Sequence, residues 1–257
     1  MKRRSLILGA AVGAVAPIVA GGAAPAAAAI TDPDVGGTPV RPSGPRSKNR
    51  AAGLKTLPKE TKQVIVVGAD TWTTTYATLE TFTKVAGQWF PVSAPLPARI
   101  GSKGFSDNHV EGVPTTPTGV YSIGPTIYGI GANPGVRYPY HQVVTNDWWN
   151  ENPDSPRYNS FQHTTTNPGG YSEALWQEKP AYTHFAVITY NMAPNVPTPV
   201  PGAGSGIFLH EFSTASGNAT AGCVSLSHNH LVGVLTWLNP AAAPRIVISP
   251  YSVLNRY

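Results

Sequence analysis

His184-Phe185-Ala186-Val187-Ile188-Thr189-Tyr190 is a short, unbroken, largely apolar run. Its length and its β-branched content read as a central strand rather than a helix. Working outward, the same texture returns on both sides. Ile207-Phe208-Leu209-His210 and Arg245-Ile246-Val247-Ile248 follow it, and Gln63-Val64-Ile65-Val66-Val67-Gly68 and Gly119-Val120-Tyr121-Ser122-Ile123-Gly124 precede it. Thr73 to Thr83 alternates threonines and aromatics in the manner of a half-exposed strand, and Trp89 to Val92 continues the meander after a turn at Gly87. One helix is expected. Ser227 is placed to cap it, Leu231, Val234, Leu235 and Leu238 recur at helical spacing, and Asn239-Pro240 stops it. Tyr128 to Glu178, rich in Trp, Tyr, Asn and Pro but poor in regular runs, is expected to form irregular walls around a site. No internal repeat is visible. The reading is one mainly β domain with a short helix.

The N-terminus has a separate logic. Lys2, Arg3 and Arg4 precede an apolar run from Leu6 to Val19, and small residues follow at Ala26-Ala27-Ala28-Ala29. The run is too short to cross a bilayer comfortably, so residues 1–29 read as a secretory signal peptide. Arg3-Arg4-Ser5-Leu6-Ile7 also resembles a twin-arginine export signal. Cleavage after Ala29 leaves 257 − 29 = 228 residues, enough for one sizeable core. Residues 30–58 hold Pro33, Pro39, Pro42 and Pro45 and almost no large apolar residues, so they read as a flexible leader. The folded domain is expected over 59–257. The formal charge of +5 includes three basic residues of the signal, so the mature chain carries 5 − 3 = +2. That balance gives no footprint for a nucleic-acid partner. No second long apolar stretch follows, and no membrane span is expected in the mature protein.

A single cysteine, Cys223, excludes an intrachain disulfide in what reads as an exported chain. His210 ends an apolar strand, and residues 211–219, rich in Ser, Thr, Gly and Asn, can fold back. A cysteine thirteen positions after the histidine then approaches the imidazole. Thiolate is the nucleophilic form, and a neighbouring histidine serves as base or ion-pair partner. Gly222 permits close approach of a substrate carbonyl, and the Gly222 and Cys223 amides are candidates for an oxyanion hole. From these residues alone two readings stay open: a catalytic pair, or a buried structural thiol beside a satisfied histidine.

The segment His210 … Thr220-Ala221-Gly222-Cys223 resembles the catalytic motif of the L,D-transpeptidases (the YkuD-like catalytic domain), in which a histidine precedes Ser/Thr-x-Gly-Cys. Glu111-Gly112 with Thr116-Pro117-Thr118-Gly119, Tyr190-Asn191 and Trp237-Leu238-Asn239-Pro240 resemble further elements of an exported branch, over roughly residues 62–250. Two positions depart. Ala221 stands where the better-known form has histidine, and Ser225 where many members carry Arg or Asn. The resemblance implies an L,D-transpeptidase-like β-sandwich with its short helix after the cysteine. It implies acyl transfer between peptidoglycan stem peptides, as donor and acceptor, through a thioacyl-enzyme to a 3→3 crosslink. Cys223 would be the nucleophile, His210 the base and Gly222 part of the oxyanion hole. Thr220, Ala221, Ser225, Asn191 and Glu211 would lie around the substrate, with a backbone carbonyl near Glu211 orienting the imidazole. No metal or organic cofactor is called for, and the expected location is extracellular or cell-wall associated. The two departures leave transfer open against an L,D-carboxypeptidase-type hydrolysis. A non-catalytic wall-binding module is the third reading.

Other candidate residues have plainer readings. His228-x-His230 lacks Asp, Glu or Cys at ligand spacing and reads as a solvated helix start. Trp148-Trp149 and the Tyr-rich stretch 138–158 suit either sugar stacking or loop packing. Asp107 and Glu111 read as solvated carboxylates rather than a glycosidase couple. Asn191 is assigned either to a substrate amide or to a turn.

Overall fold

Alternation along a strand decides which side chains share a face, and a strand buried on both faces needs cover on each. The computed structural model describes residues 49–257. Residues 1–29, read above as a signal peptide, and residues 30–48, read as part of a leader, lie outside the described residues. In chain order the strands are β1 (Gln63–Ala69), β2 (Tyr76–Val85), β3 (Gln88–Pro91), β4 (Leu96–Arg99), β5 (Phe105–Ser106) and β6 (Thr116–Pro117). Then come β7 (Gly119–Gly129), β8 (Tyr140–Gln142), β9 (Asp147–Asn150), β10 (Ser160–His163) and β11 (Glu173–Ala174). The last are β12 (Phe185–Ile188), β13 (Phe208–Glu211), β14 (Val224–Leu226) and, after helix α1 (His228–Trp237), β15 (Arg245–Pro250). Each strand expected from the sequence is present, with ends displaced by a few residues. The fold is mainly β, as the sequence implies.

The main sheet runs β1-β15-β7-β12-β13-β14-β4-β2-β3, with β8 beside β7. Because β1 also pairs with β2, the two faces of the sandwich are one sheet that closes on itself. Inside it lie Ile65, Val67, Leu79, Ile127, Leu209, Val224 and Ile248. Leu231, Val234 and Leu235 of α1 complete that core. Ser227 occupies the helix N-cap position but makes no side-chain capping bond, contrary to expectation. Asn239 takes that role one element later, accepting the Ala241 amide at 3.0 Å as Pro240 opens a new turn.

Two segments are better ordered than composition suggests. Residues 49–58, assigned above to the leader, belong to the folded body. Ala51, Leu54 and Leu57 pack with Val64, Val66, Phe82 and Val247 on the outer face of the sheet. Arg50 Nε lies 2.8 Å from the Glu80 carboxylate, and its guanidinium covers the Tyr251 ring at 3.3 Å. Three apolar residues and one cation suffice because the sheet already presents the complementary surface. Within 128–178, β10, β9 and β11 form a second sheet instead of irregular walls. Its anchor is Asp147, which accepts His141 Nε2 at 2.8 Å, His163 Nδ1 at 2.7 Å and the Val144 amide at 2.8 Å. Burial alone would raise the Asp147 pKa, but the Val144 amide and the two imidazoles outweigh it and hold the carboxyl below its usual range. Trp149 is buried beneath this sheet, and Trp148 meets Trp176 edge-on, so both indoles pack.

A chain beginning at Lys59 should therefore lose about 3 kcal/mol or more against one beginning at Asn49, from lost apolar burial and an orphaned Glu80. Urea unfolding of the two chains measures the difference. Equal midpoints would show that residues 49–58 are dispensable.

Candidate active site

One row of side chains crosses the outer face of the main sheet. Tyr128 pairs with Phe185, Phe185 with His210, His210 with Ser225, Ser225 with Arg99 and Arg99 with Tyr76. Their chain neighbours Ala186, Leu209, Val224 and Ala98 point the other way, into the core. By the same alternation Cys223 shares the outer face with His210, one strand over and two positions back. Such diagonal neighbours lie roughly 7–8 Å apart along the backbone, within reach of long side chains.

The thiol is held from both sides. Cys223 Sγ–H donates to the Gly206 carbonyl at 3.3 Å, and Sγ accepts the Phe208 amide at 3.3 Å. Cys223 is 8% exposed and packs with Phe208, Trp149 and Tyr182. His210 Nδ1 donates to the Glu211 carbonyl at 2.6 Å, which leaves the lone pair on Nε2. Burial lowers the imidazole pKa to about 4, against the smaller upward pull of that carbonyl. The ring is thus neutral at physiological pH and able to accept a proton. Tyr182 meets it edge-on at 5.6 Å and donates its hydroxyl to Glu173.

The turn before the cysteine is built by Thr220. Its Oγ1 accepts the Gly222 amide at 3.1 Å and donates to the Cys223 carbonyl at 2.7 Å. The Gly222 N–H, expected above as an oxyanion donor, is thus engaged by Thr220. Thr116, from the Thr-Pro-x-Gly element, also donates to the Cys223 carbonyl, at 3.4 Å, and accepts the Gly101 amide at 2.8 Å. That element therefore holds the Cys223 backbone from beneath.

The five residues expected around substrate separate sharply. Ala221 is exposed at the edge of the turn. The Thr220 hydroxyl is internal to the turn. Ser225, on the same face, is only 1% exposed and its Oγ has no hydrogen-bond partner, so it is covered there instead of open to a ligand. Glu211 acts through its carbonyl on His210, while its Oε2 receives His228 Nδ1 at 2.9 Å. Asn191 is consumed by the loop ahead of β13. Its Nδ2 donates to the Val200 and Gly204 carbonyls at 3.0 and 2.9 Å, and its Oδ1 accepts the Val200 amide at 2.8 Å. Asp107 and Glu111 diverge: Asp107 pairs with Arg256 at 3.0 Å, while Glu111 accepts Tyr158 at 2.6 Å and Ser205 at 2.5 Å. Among the described residues no three His, Cys, Asp or Glu gather as a metal ion would require.

Sequence reasoning missed the frame behind the thiol. Asn159 Oδ1 accepts both the Gly206 amide at 3.1 Å and Trp149 Nε1 at 2.9 Å, fixing Gly206 from the far side. His109 and Thr115 press on Gly222 from below. The visible trace of this was the pair Gly204 and Gly206 before a strand, where packed neighbouring side chains leave no room for a Cβ.

A sequence model of YkuD, the L,D-transpeptidase catalytic domain, matches residues 78–248, which include β13, the Cys223 turn and α1. The chain belongs to this family. Its fold is similar to that of Bd1075 from Bdellovibrio bacteriovorus, with TM-score 0.37, 15% identity, and coverage of 76% of this chain and 52% of that one. It is also similar to an L,D-transpeptidase from Mycobacterium smegmatis, with TM-score 0.34, 16% identity, and coverage of 73% and 58%. A third is the helical cell shape determining protein Pgp2 from Campylobacter jejuni, with TM-score 0.38, 13% identity, and coverage of 75% and 48%. The chain thus spans about half the length of these solved structures. No curated protein matches the sequence. Among the described residues of this L,D-transpeptidase-family chain, no helix is long and apolar enough to cross a membrane.

The buried neutral imidazole of this family member has a thermodynamic signature. A histidine whose folded pKa is about 4 against an ordinary 6.5 supports the fold fully above pH 6.5 and loses that support as pH falls toward 4. The loss should reach about 3 kcal/mol at pH 4. Denaturant unfolding of wild type and His210→Gln across that range tests this. Parallel stability curves for the two proteins would count against a buried, neutral His210.

Proposed function

We propose that the protein is a cysteine-dependent L,D-transpeptidase acting on peptidoglycan stem peptides. The observation that carries this reading is the seat of Cys223 Sγ between the Gly206 carbonyl and the Phe208 amide, on the sheet face that also holds neutral His210. A purely structural cysteine needs neither a fixed proton acceptor nor an oriented imidazole.

In this reaction Nε2 of His210 takes the Sγ proton, and the sulfur attacks the carbonyl carbon of the diamino acid at stem position three. The oxyanion is stabilised by the Cys223 amide, the donor kept from the expected pair. As the C–N bond breaks, the proton on Nε2 passes to the departing amine, releasing D-Ala and leaving a thioester. The amine of a neighbouring stem then attacks the thioester carbonyl. Its C–S bond breaks, the amine proton returns to the thiol through His210, and a 3→3 crosslink results. Neutral His210 suits both proton transfers. The exposure of Ala221 at the edge of the nucleophile turn supports a contact with substrate there. The N-terminal 29 residues would carry the enzyme out of the cytoplasm, to work at the cell wall.

The test incubates mature protein and Cys223→Ala with muropeptides bearing tetrapeptide stems, followed by mass spectrometry. Cysteine-dependent loss of D-Ala together with crosslinked dimers is the expected result. Cysteine-dependent tripeptide without dimers would replace transfer by hydrolysis. An inert wild type with no acyl adduct on Cys223 would leave a wall-binding module as the better account.

A further inference from the structure

His109 is a buried histidine between β5 and β6 that the reaction above leaves unused. Both its backbone and its ring are fixed. The Tyr190 hydroxyl sits between the Ala203 carbonyl at 2.7 Å and the His109 carbonyl at 3.0 Å, and its ring meets the imidazole edge-on at 5.3 Å. Nδ1 pairs with Thr115 Oγ1 at 3.0 Å. The opposite edge of the ring presses on two glycines. A Cβ at Gly204 would lie 2.6 Å from His109 Nε2, and one at Gly222 would lie 3.4 Å from Cε1. A side chain at Gly204 would therefore overlap the ring, and one at Gly222 would touch it.

These two glycines begin the two segments that meet at the nucleophile. The segment from Gly204 supplies Gly206 and Phe208, the partners of Sγ, and the segment from Gly222 supplies Cys223 itself. An imidazole wedged between them sets their separation. Interiors are close-packed, so a smaller side chain at 109 lets the segments shift rather than leaving them in place.

We propose that His109 is a positioning residue for the nucleophile, acting through Gly204 and Gly222 to align Cys223 Sγ with the Gly206 carbonyl and the Phe208 amide. This rests on the reading of Cys223 as nucleophile.

The experiment compares wild type, His109→Asn and His109→Phe in the mature protein. Asn offers an amide in place of Nδ1 toward Thr115 but removes the ring edge that touches both glycines; Phe keeps the ring and loses the Thr115 bond. Because misplacement by roughly 1 Å costs about a hundredfold in rate, alkylation of Cys223 by iodoacetamide in His109→Asn should slow by about ten- to a hundredfold. Its kcat on tetrapeptide muropeptides should fall with it while KM changes by less than about twofold, as expected when alignment rather than binding is lost. His109→Phe should recover most of the alkylation rate. A folded His109→Asn that alkylates at the wild-type rate overturns the proposal, and so do Asn and Phe variants that are equally slow. If His109→Asn does not fold, Gly204→Ala displaces the ring from the other side and should slow alkylation alike; an unchanged rate there overturns the proposal too. Turnover of muropeptides by Cys223→Ala would instead sink the nucleophile reading, and this inference with it. A reactive, essential Cys223 indifferent to His109 sinks this inference alone.

Discussion

The parallel pairing of β13 with β14 is the constraint on which the site depends. Antiparallel neighbours can be joined by a two-residue hairpin, whereas parallel ones need a crossover of a dozen or more residues. Residues 212–223 make that crossover without a helix of their own and end in the Cys223 turn. The register Leu209 with Val224 and His210 with Ser225 then puts His210 and Cys223 on one face while Leu209 and Val224 enter the core. A slip of one residue would send Cys223 inward and Val224 out. Burial of Val224 and Leu226 at 0% exposure therefore fixes the orientation of the thiol as well as the fold.

Burial has a second consequence. His210 sits among Tyr182, Phe185 and Phe208, and the low polarity that stabilises those rings disfavours the imidazolium. The Glu211 carbonyl compensates only in part but selects the tautomer. The same packing surrounds a thiol that keeps one acceptor and one donor within hydrogen-bond reach. Stability and chemistry are thus set by one layer: the small sheet of β9, β10 and β11, whose Trp149 packs on Phe208 and, through Asn159, holds Gly206. Loosening that layer would hydrate the imidazole and release the thiol's acceptor together.

The glycines near the site have a common cause. Gly206 lies against Glu151, Gly204 against His109, and Gly222 against Thr115, Ile207 and His109. Each admits a buried group where a side chain of its own would collide. A chain passing this close to Cys223 from three sides leaves little room for adjustment.

The β class and the helix after Cys223 are legible in local periodicity, and the His210 and Thr220-Ala221-Gly222-Cys223 elements through their resemblance to a family motif of short, fixed spacing. The sequence also located the Thr-Pro-x-Gly element, though not that Thr116 reaches the Cys223 carbonyl. Tertiary structure decided the rest. That the Gly222 amide is spent on Thr220, that Ser225 is buried, and that Asn191 fastens a loop depend on hydrogen bonds whose geometry no spacing encodes. Residues 49–58 read as leader because their few apolar groups are insufficient alone, and they fold because β1, β2 and β15 supply the surface that covers them. His109 and Asn159 are ordinary polar residues in sequence. They become parts of the site only when chain closure brings them to Gly204, Gly206 and Gly222, since contacts between distant segments leave no periodic trace in the chain.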